Sequence, residues 1–126
     1  MYPDDLKYSK EHEWARIEGN IATIGVTHFA QDQLGDVVYV DLPTKGAEVK
    51  QYGKMGEIES VKSVSDLFSP VGGRVVEVNT AVTSNPETVN DEPYGAGWLI
   101  KVEMSDPSQL DGLLDSAAYQ ELIADQ

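Results

Sequence analysis

The sequence predicts a mostly β domain that carries short helices and ends in a helical segment. Its 126 residues are enough for one domain of ordinary size. From residue 14 to about residue 102, short runs rich in Val, Ile and Thr are separated by Gly, Pro, Asn and Asp, the pattern of strands and turns. Beyond Asp106 and Pro107 the apolar residues recur at helical spacing. We therefore expect a single domain over residues 1–126, with a β body over about 8–104 and helices over about 106–124.

The first predicted elements are a β-hairpin and a short helix. Residues 14–17 and 21–26 favour strands, and Gly19-Asn20 between them is a typical hairpin turn. The apolar spacing then changes to that of a helix between Thr27, which can cap it, and Gly35, which can end it.

Further strands and helices are predicted along the rest of the chain. A capped helical turn with Pro86 near its first position is expected over residues 84–89, and Asp115 can cap a second helix of the C-terminal segment. The expected strands are residues 37–41, 48–50, 55–61, 73–79 and 98–103. The residues expected on the inner faces of the C-terminal helices are Leu110, Leu113, Leu114, Tyr119, Leu122 and Ile123.

The charge and the cysteine count exclude several classes of function. With 22 acidic and 9 basic residues, the chain has a formal net charge of −13, which repels nucleic acid and anionic lipid. Since it has no cysteine, disulfides, Cys-ligated zinc, iron–sulfur clusters and a Cys nucleophile are excluded, and sulfur chemistry has to come from a cofactor. The acidic N terminus has no targeting pattern, so we expect a cytoplasmic protein, or a mature form in the mitochondrial matrix.

No metal site or nucleic-acid platform is expected. His12 and His28 have no third ligand at a metal-binding spacing. The aromatic residues Trp14, Phe29 and Trp98 are assigned to the core rather than to a surface that stacks bases. No pair of carboxylates is distinguished from the other acids, so a hydrolase that uses paired acids is not favoured.

Lys62 occupies the predicted tip of a hairpin between two strands. Val61 and Val64 lie on either side of Lys62-Ser63, with polar residues beyond them. A lysine at such a tip is exposed, and its primary amine can be acylated. Its position alone does not distinguish it from an ordinary solvated lysine.

The chain resembles the glycine cleavage H-protein family over nearly its whole length. No single motif is decisive, but their order in a chain of this length is specific. Departures from the common pattern are small: His28 replaces a frequent acid and Gly72 a frequent serine. The matching stretches are residues 8–14 (YSKEHEW), 24–27 (IGVT), 29–31 (FAQ), 34–43 (LGDVVYVDLP), 59–67 (ESVKSVSDL), 73–79 (GRVVEVN), 89–90 (VN), 93–95 (PYG) and 97–101 (GWLIK).

The resemblance implies a barrel-sandwich hybrid fold and a carrier that is not itself an enzyme. It implies a lipoyl group, covalently attached to Lys62, that takes an aminomethyl group derived from glycine. The implied partners are the decarboxylating glycine dehydrogenase, the aminomethyltransferase, dihydrolipoamide dehydrogenase and a lipoyl-attaching enzyme. We expect a monomer with no catalytic residue of its own.

The family's loaded arm folds back against the domain, and the resemblance implies which acids meet it. The matching residues are Glu13 and Asp66, with Glu11 as a further candidate. Carboxylates in a cleft can hold a cationic aminomethyl group away from water. The alternative is that these acids are part of a generally acidic surface.

Two neighbouring carrier classes fit less well, and one alternative stays open. Lipoyl domains of 2-oxoacid dehydrogenases usually have Asp-Lys-Ala at the modified lysine, and biotin carriers have methionines beside it; this chain has Val61-Lys62-Ser63. The alternative is a lipoyl relay protein of the same fold, which serves other lipoyl-dependent enzymes. The sequence does not distinguish it from the glycine cleavage carrier.

Overall fold

A computed structural model describes all 126 residues. None of its helices is long and apolar enough to cross a membrane. The helices are α1 His28–Leu34, α2 Thr80–Ser84, α3 Thr88–Asp91, a 3-10 helix Pro107–Gly112 and α4 Ser116–Ala124. The strands are β1 Lys7–Tyr8, β2 Glu13–Glu18, β3 Ile21–Val26, β4 Val37–Asp41, β5 Glu48–Val49, β6 Lys54–Ser60, β7 Val64–Phe68, β8 Gly73–Val78 and β9 Ile100–Met104.

The strands form two antiparallel sheets around one main core. The larger sheet has the order β1-β2-β3-β9-β8-β5, and the smaller one has the order β4-β6-β7. Buried aliphatic side chains from both sheets, among them Ile24, Val40, Ile58 and Val102, pack into one cluster. This arrangement confirms the mostly β prediction.

The first hairpin and the first helix form as predicted. Strands β2 and β3 pair from Glu13 and Val26 to Glu18 and Ile21, so two residues are left for the turn. Gly19 there has a positive φ of 62°, which glycine adopts without strain. In α1, the Thr27 hydroxyl accepts a hydrogen bond from the N–H of Ala30, and the helix ends at Gly35 with φ of 78°.

The predicted helical turn over residues 84–89 forms one residue later, where the carbonyls of Asn85 and Pro86 accept hydrogen bonds from the N–H groups of Thr88 and Val89, and it leads into α3. Helix α2 begins earlier, at Thr80, because the Asn79 side chain accepts a hydrogen bond from the N–H of Ala81. The chain leaves the helix at Asn85, since the residue before a proline is disfavoured in helical conformation. Pro86 therefore lies between α2 and α3.

Two further predicted boundaries differ from the structure. The last strand begins at Ile100 rather than at Trp98, since the Trp98 carbonyl accepts a hydrogen bond from the Asn79 side chain. The 3-10 helix ends at Gly112, and Leu114 exchanges two backbone hydrogen bonds of 2.8 Å with Tyr8. Leu114 therefore ties the C-terminal segment to β1 instead of lying on a helix face.

Helix α4 covers a second, smaller cluster of apolar residues. Asp115 caps the helix as predicted, through the N–H of Ala118. Tyr119 is completely buried and stacks on Tyr8, with the ring centroids 4.8 Å apart. The other members of this cluster are Leu6 and Trp14, with Tyr2, Tyr94, Trp98, Leu114, Leu122 and Ile123 partly buried around them.

We expect Gly25→Ala to destabilise the fold by about 3 kcal/mol, as overpacking does at a rigid site. A Cβ atom at Gly25 would lie 2.6 Å from the indole ring of Trp14. That ring cannot move aside, because it is buried and its Nε1 donates to the carbonyls of Val26 and Pro93. Urea denaturation measures the loss. The cost should be smaller in a Trp14→Phe background, and equal costs in the two backgrounds would contradict this explanation.

Candidate functional site

The tip of the β6–β7 hairpin is shaped by the side chain of Ser60. The buried Ser60 hydroxyl oxygen accepts hydrogen bonds from the N–H groups of Lys62, at 3.3 Å, and Ser63, at 3.1 Å. The Ser60 N–H also donates to the carbonyl of Ser63, at 2.8 Å. The turn that presents Lys62 is therefore held by a residue two positions before the lysine, and the exposed lysine side chain is free of this role.

The loop after α1 supports this tip from below. The Lys62 stem lies over Gly35, where an added Cβ atom would be 3.4 Å from the lysine Cε. The Val61 N–H donates to the carbonyl of Asp36, at 3.0 Å. Asn90 fixes the loop: its amide donates to the Gly35 carbonyl and its oxygen accepts from the Val37 N–H. Lys62 thus projects from a turn whose backbone is supported on two sides.

A cleft of about 460 Å³ lies beside the hairpin tip. One wall is β7 with the residue before it, and the other is formed by α1 and the segment that enters β2. The cleft brings together all three acids that the sequence analysis singled out. Its lining residues are Glu11, His12, Glu13, Val26, Phe29, Ala30, Gln33, Leu34, Ile58, Ser63, Val64, Ser65, Asp66, Leu67 and Gln126.

Glu13 is the buried acid of this cleft, with only 2% of its surface exposed. Its carboxyl accepts hydrogen bonds from the Ser9 hydroxyl, at 2.7 Å, and from the N–H of Phe68, at 3.3 Å. Burial raises the pKa of Glu13 to about 8, although these two hydrogen bonds act in the opposite direction. No lysine, arginine or histidine forms an ion pair with it. When Glu13 is ionised, no cationic side chain of the protein therefore balances its charge.

Asp66 lies on the same cleft in a different environment. It is exposed and forms an ion pair with Lys54, whose Nζ is 3.3 Å from its carboxylate. Hydrogen bonding to Asp66 raises the pKa of Lys54. Glu11, also exposed, lies on the cleft rim. Glu11 and Asp66 are therefore the exposed acids of the cleft, and Lys54 offsets the charge of Asp66, whereas Glu13 is the buried acid.

His12 holds the cleft wall to the C-terminal helix. Its backbone has a positive φ of 72°, and its Nδ1 lies 2.8 Å from the hydroxyl of Tyr119. The Tyr119 hydroxyl is also 2.7 Å from that of Thr27. Burial lowers the pKa of His12, with an opposing contribution from Glu11. Because its pKa is lowered, His12 favours the neutral form at pH 7 and acts there as a hydrogen-bonding residue.

The structure corrects one aromatic assignment and adds cleft residues that the sequence did not indicate. Phe29 is only partly buried and lines the cleft beside His12, whereas Trp14 is in the core as predicted. Gln33 and Ile58 also line the cleft. Their sequence positions carry no signal of this, since Gln33 is an ordinary helix residue and Ile58 an ordinary strand residue. No group of three His, Asp or Glu residues could hold a metal ion.

The cleft has the chemistry to bind a long acyl chain with a cationic end. The accessible apolar surface of Phe29, Ala30 and Val64 suits the chain, and Glu13 can give up its proton to neutralise the cation. The carboxyl of Glu13 accepts a hydrogen bond from the N–H of Phe68, six residues along the chain from Lys62, so at most about 20 Å of chain separates the two residues. Lys62 itself spans roughly 6 Å, so a group attached to its amine can extend along the cleft toward Glu13.

A family model and individual relatives of this chain agree on one protein family. The family model described as glycine cleavage H-protein matches residues 6–126. A glycine cleavage system H protein of Symbiobacterium thermophilum is 62% identical over 93% of this chain and 91% of that protein. The H protein of Myxococcus xanthus is 55% identical over 96% of this chain and 94% of that protein.

A solved structure agrees with the fold. The crystal structure of a glycine cleavage system H protein from Mycobacterium marinum has a TM-score of 0.90 and 39% sequence identity, and the match covers 97% of this chain and 98% of the other. The predicted fold is thereby confirmed. The chain, matched from Leu6 to its last residue, belongs to the glycine cleavage H-protein family.

Proposed function

We propose that Lys62 carries a covalently attached lipoyl group and that the neighbouring cleft holds the loaded arm. As a member of its family, the chain is the lipoyl carrier of glycine cleavage. The observation that supports the proposal is that two features lie side by side. One is an exposed lysine on a turn held by hydrogen bonds, and the other is a cleft that contains a buried carboxyl with no cationic partner.

Lys62 is suited to acylation because its amine is exposed and its turn does not depend on its side chain. In the attachment step the neutral Nζ attacks the carbonyl carbon of an activated lipoate, such as the acyl adenylate. An amide C–N bond forms, the C–O bond to AMP breaks, and the amine proton goes to solvent. When attached, the lipoyl group supplies a disulfide that accepts the aminomethyl group and is later restored by oxidation of the dithiol.

The remaining residues of the site bind and shield rather than catalyse. Glu13 and Asp66 offer carboxylates to a cationic group, and the apolar cleft walls limit its contact with water. No cysteine is present to exchange with the lipoyl sulfurs. We infer that the chain is a substrate of its partners and not an enzyme.

The proposed partners are those of the family's reaction cycle. They are the decarboxylating glycine dehydrogenase, the aminomethyltransferase, dihydrolipoamide dehydrogenase and a lipoyl-attaching enzyme. A net charge of −13 favours attraction to basic docking surfaces and encounters that weaken with salt. The monomeric state and the cytoplasmic location stay predictions.

Intact-mass spectrometry tests the attachment. The wild-type chain should gain the mass of one lipoyl group when it is incubated with lipoate, ATP and a lipoyl-attaching enzyme, and peptide mapping should place that mass on the segment that contains Lys62. Without lipoate no mass should be gained. Attachment to another lysine, or none at all, would overturn the proposal.

A further inference from the structure

An apolar patch surrounds the hairpin tip on the surface of the smaller sheet. We call Val38, Tyr39, Val61 and Val64 the tip patch. They are four of the six large apolar side chains that the structure exposes; the others are Met1 and Tyr52. All four belong to strands β4 and β7 or to the turn beside Lys62. Exposed apolar side chains gathered at one place mark an interaction surface more often than scattered ones do.

A β-bulge in β4 produces half of this patch. The register between β4 and β6 shifts between Val37 and Tyr39, so Val38 is an extra residue opposite β6. Regular alternation would turn one of two neighbouring residues inward, but here both Val38 and Tyr39 are exposed. The bulge therefore adds an apolar side chain to the surface close to Lys62 at the expense of regular pairing.

The strand register places the patch among carboxylates on the outer face of the sheet. Tyr39 pairs with Glu59, and Glu59 pairs with Val64, so these three side chains form one row. The next row consists of Asp41, Glu57 and Asp66. Lys54 is the ion-pair partner of Glu57 and Asp66, whereas Glu59 and Asp41 have none. A partner that covers this face needs an apolar contact surface with cations at its rim.

We propose that the tip patch is the docking surface for the enzyme that attaches the lipoyl group to Lys62. The inference rests on the proposed function, and it identifies which partner uses this surface. An enzyme that acylates Lys62 must bring its activated acyl group to Nζ, roughly 6 Å from the hairpin backbone, and so it covers the residues around the tip. Enzymes that act on the lipoyl sulfurs meet the far end of a long arm and have no such requirement.

Apolar contact at the patch would act before the chemical step. The enzyme would hold the neutral amine of Lys62 against the acyl adenylate, so that the amide forms as AMP leaves. Removing an apolar side chain from the patch therefore weakens docking and lowers kcat/KM for acylation, and a higher KM accounts for most of the loss. The nucleophile and its turn are unchanged.

The test compares two exposed tyrosines. Tyr39 is 55% exposed at the patch, and Tyr52 is 50% exposed at the opposite end of β6 from Lys62. Tyr39→Ser and Val38→Ser should each lower kcat/KM for lipoylation, with a lipoyl-attaching enzyme, lipoate and ATP, by about tenfold, as loss of an interface anchor does. Tyr52→Ser should change it by less than about twofold. Circular dichroism and urea denaturation verify that each variant is folded.

The outcomes separate this inference from the proposed function. If the wild-type chain gains no lipoyl mass at Lys62, the proposed function itself fails. If the wild type is lipoylated and Tyr39→Ser lowers kcat/KM for lipoylation by less than about threefold, the proposal that the tip patch is the docking surface is wrong. Variants that have been fully lipoylated by prolonged incubation should be turned over by dihydrolipoamide dehydrogenase like the wild type. Slower turnover there, or a dimer of the wild type that Tyr39→Ser dissolves, would assign the patch to another occupant and overturn the inference.

Discussion

A Lys62→Arg variant is expected to gain no lipoyl mass and to lose all carrier activity in a reconstituted glycine cleavage assay. The guanidinium group of arginine stays protonated in proteins and is not a nucleophile for acyl transfer. The fold should be unaffected, because the Lys62 side chain is exposed and the turn is held by Ser60. Intact-mass spectrometry after incubation with lipoate, ATP and the attaching enzyme measures the first effect.

Lys54→Arg is the matched control for this variant. Lys54 lies on β6, the strand that leads to Lys62, and arginine can keep its ion pair with Asp66. This variant should be lipoylated as fast as the wild type. A lipoyl mass on Lys62→Arg equal to that on the wild type would show that another amine is modified.

A Glu13→Gln variant is expected to change both the pH dependence of stability and the protection of the loaded arm. The pKa of Glu13 is raised from 4.5 to about 8 in the folded chain. Between these values the unfolded chain releases a proton that the folded chain retains, so this residue lowers the free energy of unfolding as pH rises. Glutamine removes this contribution, and the free energy of unfolding of the variant relative to the wild type should rise by on the order of 3 kcal/mol from pH 5 to pH 9.

The same substitution removes the group that can become negatively charged in the cleft when a cation binds beside it. Glutamine can still form hydrogen bonds to Phe68 and Ser9, but it cannot neutralise an ammonium group. The aminomethyl-loaded form should therefore lose its cargo about tenfold faster, the size of one charge-assisted hydrogen bond. Lipoylation of Lys62 should be unchanged.

Urea denaturation at pH 5, 7 and 9 and the decay of the loaded mass measure these two effects. Glu11→Gln is the control, since Glu11 is an exposed acid on the rim of the same cleft. It should leave most of the pH dependence caused by Glu13 in place, because burial rather than the charge of Glu11 is the main reason for the raised pKa of Glu13. A profile for Glu13→Gln parallel to that of the wild type, together with an unchanged decay rate, would remove Glu13 from the proposed site.

Elements with strong local signals were predictable from the sequence. The Thr27 cap and the Gly35 stop fix α1 because both interactions lie within the helix itself and its two ends. The Gly19-Asn20 turn likewise fixes the register of the first hairpin. The sequence pattern did not predict boundaries that are set by a side chain from a distant segment. The Asn79 side chain donates to the Trp98 carbonyl, and the last strand starts two residues later than predicted.

The residues of the candidate site could be predicted from the resemblance to the family but not from the spacing of residue types in the sequence. In the sequence, Glu13 has the pattern of an ordinary acid in a strand. In the fold its buried carboxyl accepts hydrogen bonds from Ser9 and from Phe68, which is 55 residues away. The link between His12 and Tyr119 spans 107 residues. Such contacts arise only from tertiary packing, which hydrophobic periodicity does not encode. The bulge at Val38 is a similar case, because the run of valines reads as a regular strand.

The position of Lys62 beside the cleft has a consequence for binding strength. An arm tethered at Lys62 meets Glu13 at an effective concentration set by the tether, on the order of millimolar for short flexible links. A contact too weak to capture a free ligand then suffices to keep the arm docked for most of the time. The same weakness lets a partner withdraw the arm at little cost. If Lys62 carries the proposed arm, the turn held by Ser60 would present that arm to a weak site, from which it could move to a partner.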